Sequence, residues 1–247
     1  MLFTLQKPER VAHLFASWRN LETAVLACLN GCVGKVYVTD PDQPKSALAV
    51  LGGFAFCAGE PDEALLRDKP YGCNVVPQND AWAALIESTF PATKKIRYAL
   101  HPNASFDTDK LRAMVQALPM GYELRRIDDA LYDLCAASDD TEDLVAWFGP
   151  KESFLSRGRG FVVLHEGRIV SGAASALCYP GGIEIETDTV KAQRHKGLAS
   201  AVCAALILDC LQDGLYPSWD AANKLSVRLA EKLGYTYSHE YACYWVE

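Results

Sequence analysis

Glu184-Ile185-Glu186-Thr187-Asp188-Thr189-Val190-Lys191-Ala192-Gln193-Arg194-His195-Lys196-Gly197-Leu198-Ala199 decides how this chain is read. The stretch opens as a strand, passes through a short basic loop to Gly197, and enters an apolar run that predicts a helix over Leu198–Leu211. The first turn of such a helix holds backbone N–H groups without intrahelical partners, at the positive end of the helix dipole, where an anion is stabilised. Arg194, His195 and Lys196 place side-chain donors at the same spot, and Gly197 lets the backbone approach closely. The unit reads as a cradle for a pyrophosphate. Two common phosphate motifs are missing from the sequence. Gly31-Cys32-Val33-Gly34-Lys35-Val36 has the wrong spacing for a P-loop and no hydroxyl to hold magnesium, and Gly158-Arg159-Gly160 precedes a strand rather than a helix.

Upstream of the cradle, Gly160–His165 and Arg168–Leu177 alternate as a hairpin about Glu166-Gly167. In the strand Ile183–Thr189, Glu184 and Glu186 share one face while Ile183 and Ile185 share the other. Downstream, Tyr216–Trp219 reads as a strand, Ala221–Leu233 as a helix ended by Gly234, and Tyr235–Val246 as one long strand or a hairpin. Before the hairpin come a strand at Tyr122–Ile127, a helix at Asp128–Cys135 and a helix at Leu144–Phe148. The acidic run Ser138–Asp143 leads into the last of these and reads as helix capping, not a metal site. The second half is therefore β-α-α-β-β-β-α-β-α-β, an α/β sheet with helices on its faces.

The first half echoes this order. Val11, Leu14, Phe15 and Trp18, then Leu21, Val25, Cys28 and Leu29, fall at helical spacing, and Gly31 and Gly34 stop the run. Strands follow at Lys35–Asp40, at Ser46–Phe56 with a bend at Gly52-Gly53, and at Asn74–Val76. Asn79 or Asp80 caps a helix Ala81–Phe90, and a strand Lys95–Leu100 and a helix Asp107–Leu118 complete the half. Pro119-Met120-Gly121 marks the boundary, giving an N-terminal α/β domain over residues 1–119 and a second domain over 120–247, with internal duplication as a hypothesis.

Composition narrows the function. A formal net charge of −7 argues against a partner with a phosphate backbone or an anionic membrane surface, and suits a cationic amine. No run of about 18 apolar residues marks a membrane span, and residues 1–10 lack the signal-peptide pattern. Nine cysteines, an odd number without a C-x-x-C pair, read as reduced core thiols in a cytoplasmic protein. His13, His101, His165 and His239 are isolated from any cysteine or serine constellation, which argues against a hydrolytic triad.

Arg194-His195-Lys196-Gly197-Leu198-Ala199 has the form R-x-x-G-x-A. It resembles the acyl-CoA pyrophosphate loop of the GCN5-related N-acetyltransferases (GNAT). The block from Trp219-Asp220-Ala221-Ala222-Asn223 through Ser226 to Leu233-Gly234-Tyr235 resembles that family's second signature. The resemblance covers residues 120–247, and the long first half is similar to a bacterial subgroup with an extra N-terminal domain. It implies a C-terminal GNAT-like mixed sheet flanked by helices, preceded by a smaller α/β domain that is a degenerate GNAT-like half. It also implies acetyl-CoA as acyl donor, no metal, and a small-molecule or peptide amine as acceptor. The chain is expected to be a monomer or homodimer, without nucleic acid or membrane as partner. Cofactor contacts carried over by the resemblance are Thr187, Asp188, Thr189, Arg194, His195, Lys196, Gly197, Leu198, Ala199, Asn223 and Ser226. Either Glu186 or Glu184 is the expected general base, directly or through water, with Glu186 ranked ahead. One departure stands out: many members carry a tyrosine acid where this chain has Ala230, which leaves Tyr235 and Tyr237 as substitutes or makes the chain a non-catalytic acyl-CoA sensor.

Overall fold

A computed structural model describes residues 2–18, 22–69 and 72–246. Leu21, one of the expected helical positions, lies outside them. In chain order the regular elements begin with β1 (Phe3–Thr4), α1 (Glu22–Leu29), β2 (Lys35–Val38), β3 (Ser46–Leu51), β4 (Phe54–Gly59), α2 (Glu63–Arg67), β5 (Cys73–Val76), α3 (Asp80–Thr89) and β6 (Thr93–Leu100). They continue with α4 (Thr108–Gln116), β7 (Tyr122–Arg126), α5 (Asp129–Ala136), α6 (Lys151–Arg157), β8 (Gly160–His165), β9 (Arg168–Tyr179) and β10 (Gly182–Thr189). The last are α7 (Leu198–Gln212), β11 (Tyr216–Ser218), β12 (Asp220–Ala221), α8 (Lys224–Leu233) and β13 (Tyr237–Val246). Packing divides the chain into two compact units, Met1–Ala99 with His239–Glu247, and Leu100–Ser238.

The first unit is built on a sheet in which β1, β2, β3, β4, β5, β13 and β6 are neighbours in that order. The pairs from β1 to β4 are antiparallel and β4 runs parallel to β5. Gly52, at φ 51°, closes a β3–β4 hairpin, so the single bent strand expected over Ser46–Phe56 is two strands. Apolar runs on both sides of a Gly-Gly pair fit a bend and a turn equally well. Trp82 and Ile86 of α3 pack with Leu65 and Leu66 of α2 onto Leu48, Ala55, Cys57 and Val75, all buried. Tyr244 and Val246 join this core, because β13 pairs antiparallel with β5. Asn79 caps α3, its side chain accepting from Ala81 and Trp82 N–H.

The second unit has the sheet order β11-β10-β9-β8-β7. The pairs from β7 to β10 are antiparallel, and β10 runs parallel to β11. Buried through most of its length, α7 packs on β8, β9, β10 and β11 and against α4 and α8, as its all-round apolar sequence requires. The segment Leu144–Phe148, expected to be a helix, forms two single 3-10 turns, Glu142–Leu144 and Ala146–Phe148. The next helix, α6, is too short to announce itself by periodicity. The expected helix from Ala221 starts at Lys224, because Asn223 is its cap. The packing boundary also differs from the sequence break at Pro119–Gly121: α4 packs on α7 and so joins the second unit, while β13 returns to the first. Among the described residues no helix is long and apolar enough to cross a membrane.

Candidate functional site

The site is assembled where β10 stops pairing with β11. Their ladder covers only Gly182–Glu184 against Tyr216–Ser218, whereas β10 stays paired with β9 as far as Thr189. Among the described residues, no strand takes the β11-facing edge of β10 beyond Glu184. A β-bulge falls at that point: Ala176 of β9 is the extra residue between Ser175 and Leu177, opposite the Glu184–Ile185 step. An edge of this kind can pair with an extended chain.

After Thr189 the chain turns through Val190–Gly197 into α7. His195 (φ 65°) and Gly197 (φ 81°) both adopt left-handed backbone around Lys196, a geometry that gathers successive N–H groups into an anion-binding concavity. For His195 this conformation is costly. Gly197 is the N-cap of α7 and no side chain caps that helix. A Cβ built on Gly197 meets nothing within 4 Å, so the space in front of the helix start is open. Strand end, loop, glycine and helix start thus follow one another as the sequence orders them.

A cleft of about 530 Å³ spreads from this point. One wall is the end of β10, with Thr187, Asp188 and Thr189. The floor is Arg194, His195 and the α7 start from Gly197 to Ser200. The other wall is α8, with Asn223, Leu225, Ser226, Leu229 and Lys232. The cleft thus gathers the residues that the sequence singled out for cofactor contact, with one exception. Lys196 does not line it: its Nζ donates to the Tyr122 hydroxyl (2.9 Å) and Gln193 Oε1 (2.6 Å). Arg194 Nε donates to the Thr189 carbonyl (3.1 Å), tying the loop to the strand end. Asn223 Oδ1 accepts from Leu225 N–H (2.9 Å) and Ser226 N–H (3.0 Å), so it is a cap, and its Nδ2 donors are left for other partners. Ser226 Oγ accepts from Trp219 Nε1 (3.0 Å). Burial raises the Asp188 carboxyl above its usual range, Asp143 adds to this, and Arg194 opposes it.

The two glutamates do not line this cleft. Glu184 is 6% exposed and stands in register with Ser218, where the strands still pair. Glu186 is half-buried further along the strand, where its Oε1 accepts from Thr187 N–H (3.1 Å). Gly182 leaves room for the Tyr179 ring to cross the strand, so the Tyr179 hydroxyl meets Ser218 Oγ at 2.6 Å beside Glu184. Burial pushes the Tyr179 phenol to about 12, with the Ser218 hydrogen bond opposing and Glu184 adding. Of the two tyrosines considered as acids, Tyr235 is buried and donates to the Pro217 carbonyl, and Tyr237 is 39% exposed. Ala230 is fully buried.

Cys203 is buried under β10, donates to Thr187 Oγ1 (3.3 Å) and is pushed up to about 12 by burial. Among the described residues, no group of three or more His, Cys, Asp or Glu could hold a metal ion. Sequence reasoning missed Leu225, Leu229 and Lys232. Their spacing of i, i+4 and i+7 marks one helical face, a signal that identifies a stripe but not what it faces.

The second unit is thus an α/β sheet that opens onto a helix start with no side-chain cap, an arrangement suited to an anion. The chain belongs to the GNAT acetyltransferase family, whose model matches residues 12–244. It is 28% identical over 227 residues to the uncharacterized N-acetyltransferase YdfB of Bacillus subtilis (strain 168), covering 86% of this chain and 85% of that protein. Among solved structures, the GCN5-related N-acetyltransferase-like protein of Streptococcus suis 89/1591 superposes with a TM-score of 0.92 at 42% identity, covering 98% and 99% of the two chains. A tandem GNAT protein from the clavulanic acid biosynthesis pathway shares the fold at a TM-score of 0.52 and 12% identity, covering 99% and 97%. Members of the family use acetyl-CoA.

Proposed function

We propose that this chain transfers an acetyl group from acetyl-CoA to a primary amine by direct attack in a ternary complex, with the cleft between β10 and α8 as the donor site. The observation that carries the reading is the N-terminus of α7: left-handed Gly197, no side-chain cap and open space in front. Backbone N–H groups from Gly197 to Ala199 hold the pyrophosphate, Arg194 and His195 add donors, and Thr187, Asp188 and Thr189 offer main-chain groups to the pantetheine amides. Asn223 and Ser226 flank the same arm. When bound, the donor supplies the activated acyl group. Glu186 or Glu184 takes the proton from the acceptor ammonium, directly or through water. Glu184 gains weight from its place beside the Tyr179–Ser218 hydrogen bond, where the β10–β11 ladder ends.

The first half is a degenerate copy of the same fold, with β7 opening the catalytic copy just after Pro119-Met120-Gly121. The run of three antiparallel pairs and one parallel pair that both units share supports this, as does the tandem relative. Nine free cysteines fit a reducing compartment. Thiol release tests the activity: CoA is expected to appear only when an amine is added. Saturable acetyl-CoA binding without release across a broad amine panel would overturn the transferase reading in favour of a sensor.

A further inference from the structure

The cleft carries a cation that the loop does not supply. Lys196, the lysine of the R-x-x-G-x-A loop, is held by Tyr122 and Gln193. Lys232, from the last turn of α8, lines the cleft instead, with Nζ 2.9 Å from Ser200 Oγ at the start of α7. Leu225 and Leu229 lie on the same face of α8, and Leu225 is 71% exposed. The wall therefore changes character along its length, from the amide of Asn223 through two leucines to a lysine. Nine residues of helix separate its ends, roughly 13 Å at the α-helical rise. A ligand with a neutral amide arm and an anionic nucleotide end matches that gradient in one direction only.

We propose that Lys232, steadied by Ser200, pairs with a phosphate of the nucleotide end of the donor and fixes the direction in which the donor lies. This rests on the donor-site reading above. The ammonium acts as a point charge supplied from α8 next to the α7 start, in addition to the backbone N–H groups and Arg194.

The test measures affinities of acetyl-CoA and of phosphate-free S-acetylpantetheine for the wild-type chain, Lys232→Ala, Lys232→Arg and Lys196→Ala. Lys232→Ala is expected to weaken acetyl-CoA about tenfold or more. It should leave S-acetylpantetheine unchanged, and Lys232→Arg should restore most of the loss. Lys196→Ala should stay within about twofold, since its ammonium is engaged elsewhere. Equal losses for both ligands would mean a structural role and overturn the proposal, as would an unchanged affinity for acetyl-CoA. A wild-type chain that binds no acyl-CoA would refute the donor site itself, and this pairing with it.

Discussion

The turns after β4 and β10 hold the same place in two sheets of matching order and carry opposite chemistry. Each sheet runs through three antiparallel pairs to one parallel pair, and each places its crossover helix, α2 or α7, between the parallel strands. Register makes the comparison residue by residue: Phe56 stands opposite Val76 as Glu184 stands opposite Ser218. Phe56 and Ala58 then occupy the places of Glu184 and Glu186, both fully buried and neither able to move a proton. After β4, Asp62 caps α2: its Oδ1 accepts from Ala64 N–H (2.8 Å) and Leu65 N–H (3.4 Å), and its Oδ2 accepts from the Thr39 hydroxyl (2.7 Å). After β10, the equivalent N–H groups face open space. One half satisfies its helix with its own carboxylate; in the other no side chain caps the helix. Helix length follows the same division, 5 residues in α2 against 15 in α7.

The largest expected effect comes from giving the second turn the chemistry of the first. Gly197→Asp puts a carboxylate at the N-cap of α7, where it competes for the same N–H groups and repels phosphate. Aspartate is among the few residues that tolerate left-handed backbone, so the fold should persist. Acetyl-CoA affinity by calorimetry should fall more than about a hundredfold, with the circular dichroism spectrum unchanged. An affinity within about tenfold of wild type would break the comparison at its centre.

Next in size is removal of the carboxylates that β4 lacks. The pair Glu184→Gln and Glu186→Gln should lower kcat about a hundredfold or more near neutral pH while acetyl-CoA affinity holds, as expected for loss of general base catalysis. Each single variant then ranks the two. A rate and pH profile that match wild type would place the base outside β10 and remove this contrast between the halves.

Local signals made the second turn legible. The alternating strand, the basic loop, Gly197 and the apolar run all lie within one short stretch, and each acts through its own backbone, so β10, α7 and most of the cleft could be read directly. What depends on distant partners could not. Lys196 was the natural choice for the cleft, yet Tyr122, 74 residues away, holds it outside. Lys232 takes part only because α8 brings it to Ser200. The return of β13 to the first sheet is equally silent, since its alternation fits any half-buried edge. Helices as short as α2 and α6 lack the two turns that periodicity needs.

The smallest effect lies in the first turn and tests whether its carboxylate only caps or also closes a second site. Asp62→Ala frees the N–H groups of Ala64 and Leu65 and the hydroxyl of Thr39, at a cost of about 1 kcal/mol. For a chain of this size that lowers Tm by about 2–4 °C. Glu60 and Glu63 remain beside the freed helix start, and no arginine or glycine stands where Arg194 and Gly197 do. A helix of 5 residues also gathers less dipole than one of 15. Binding should therefore stay at one acetyl-CoA per chain in Asp62→Ala, as in wild type. A second equivalent bound by the variant would show that Asp62 alone closes the first half, and that the strand and helix differences around it are incidental.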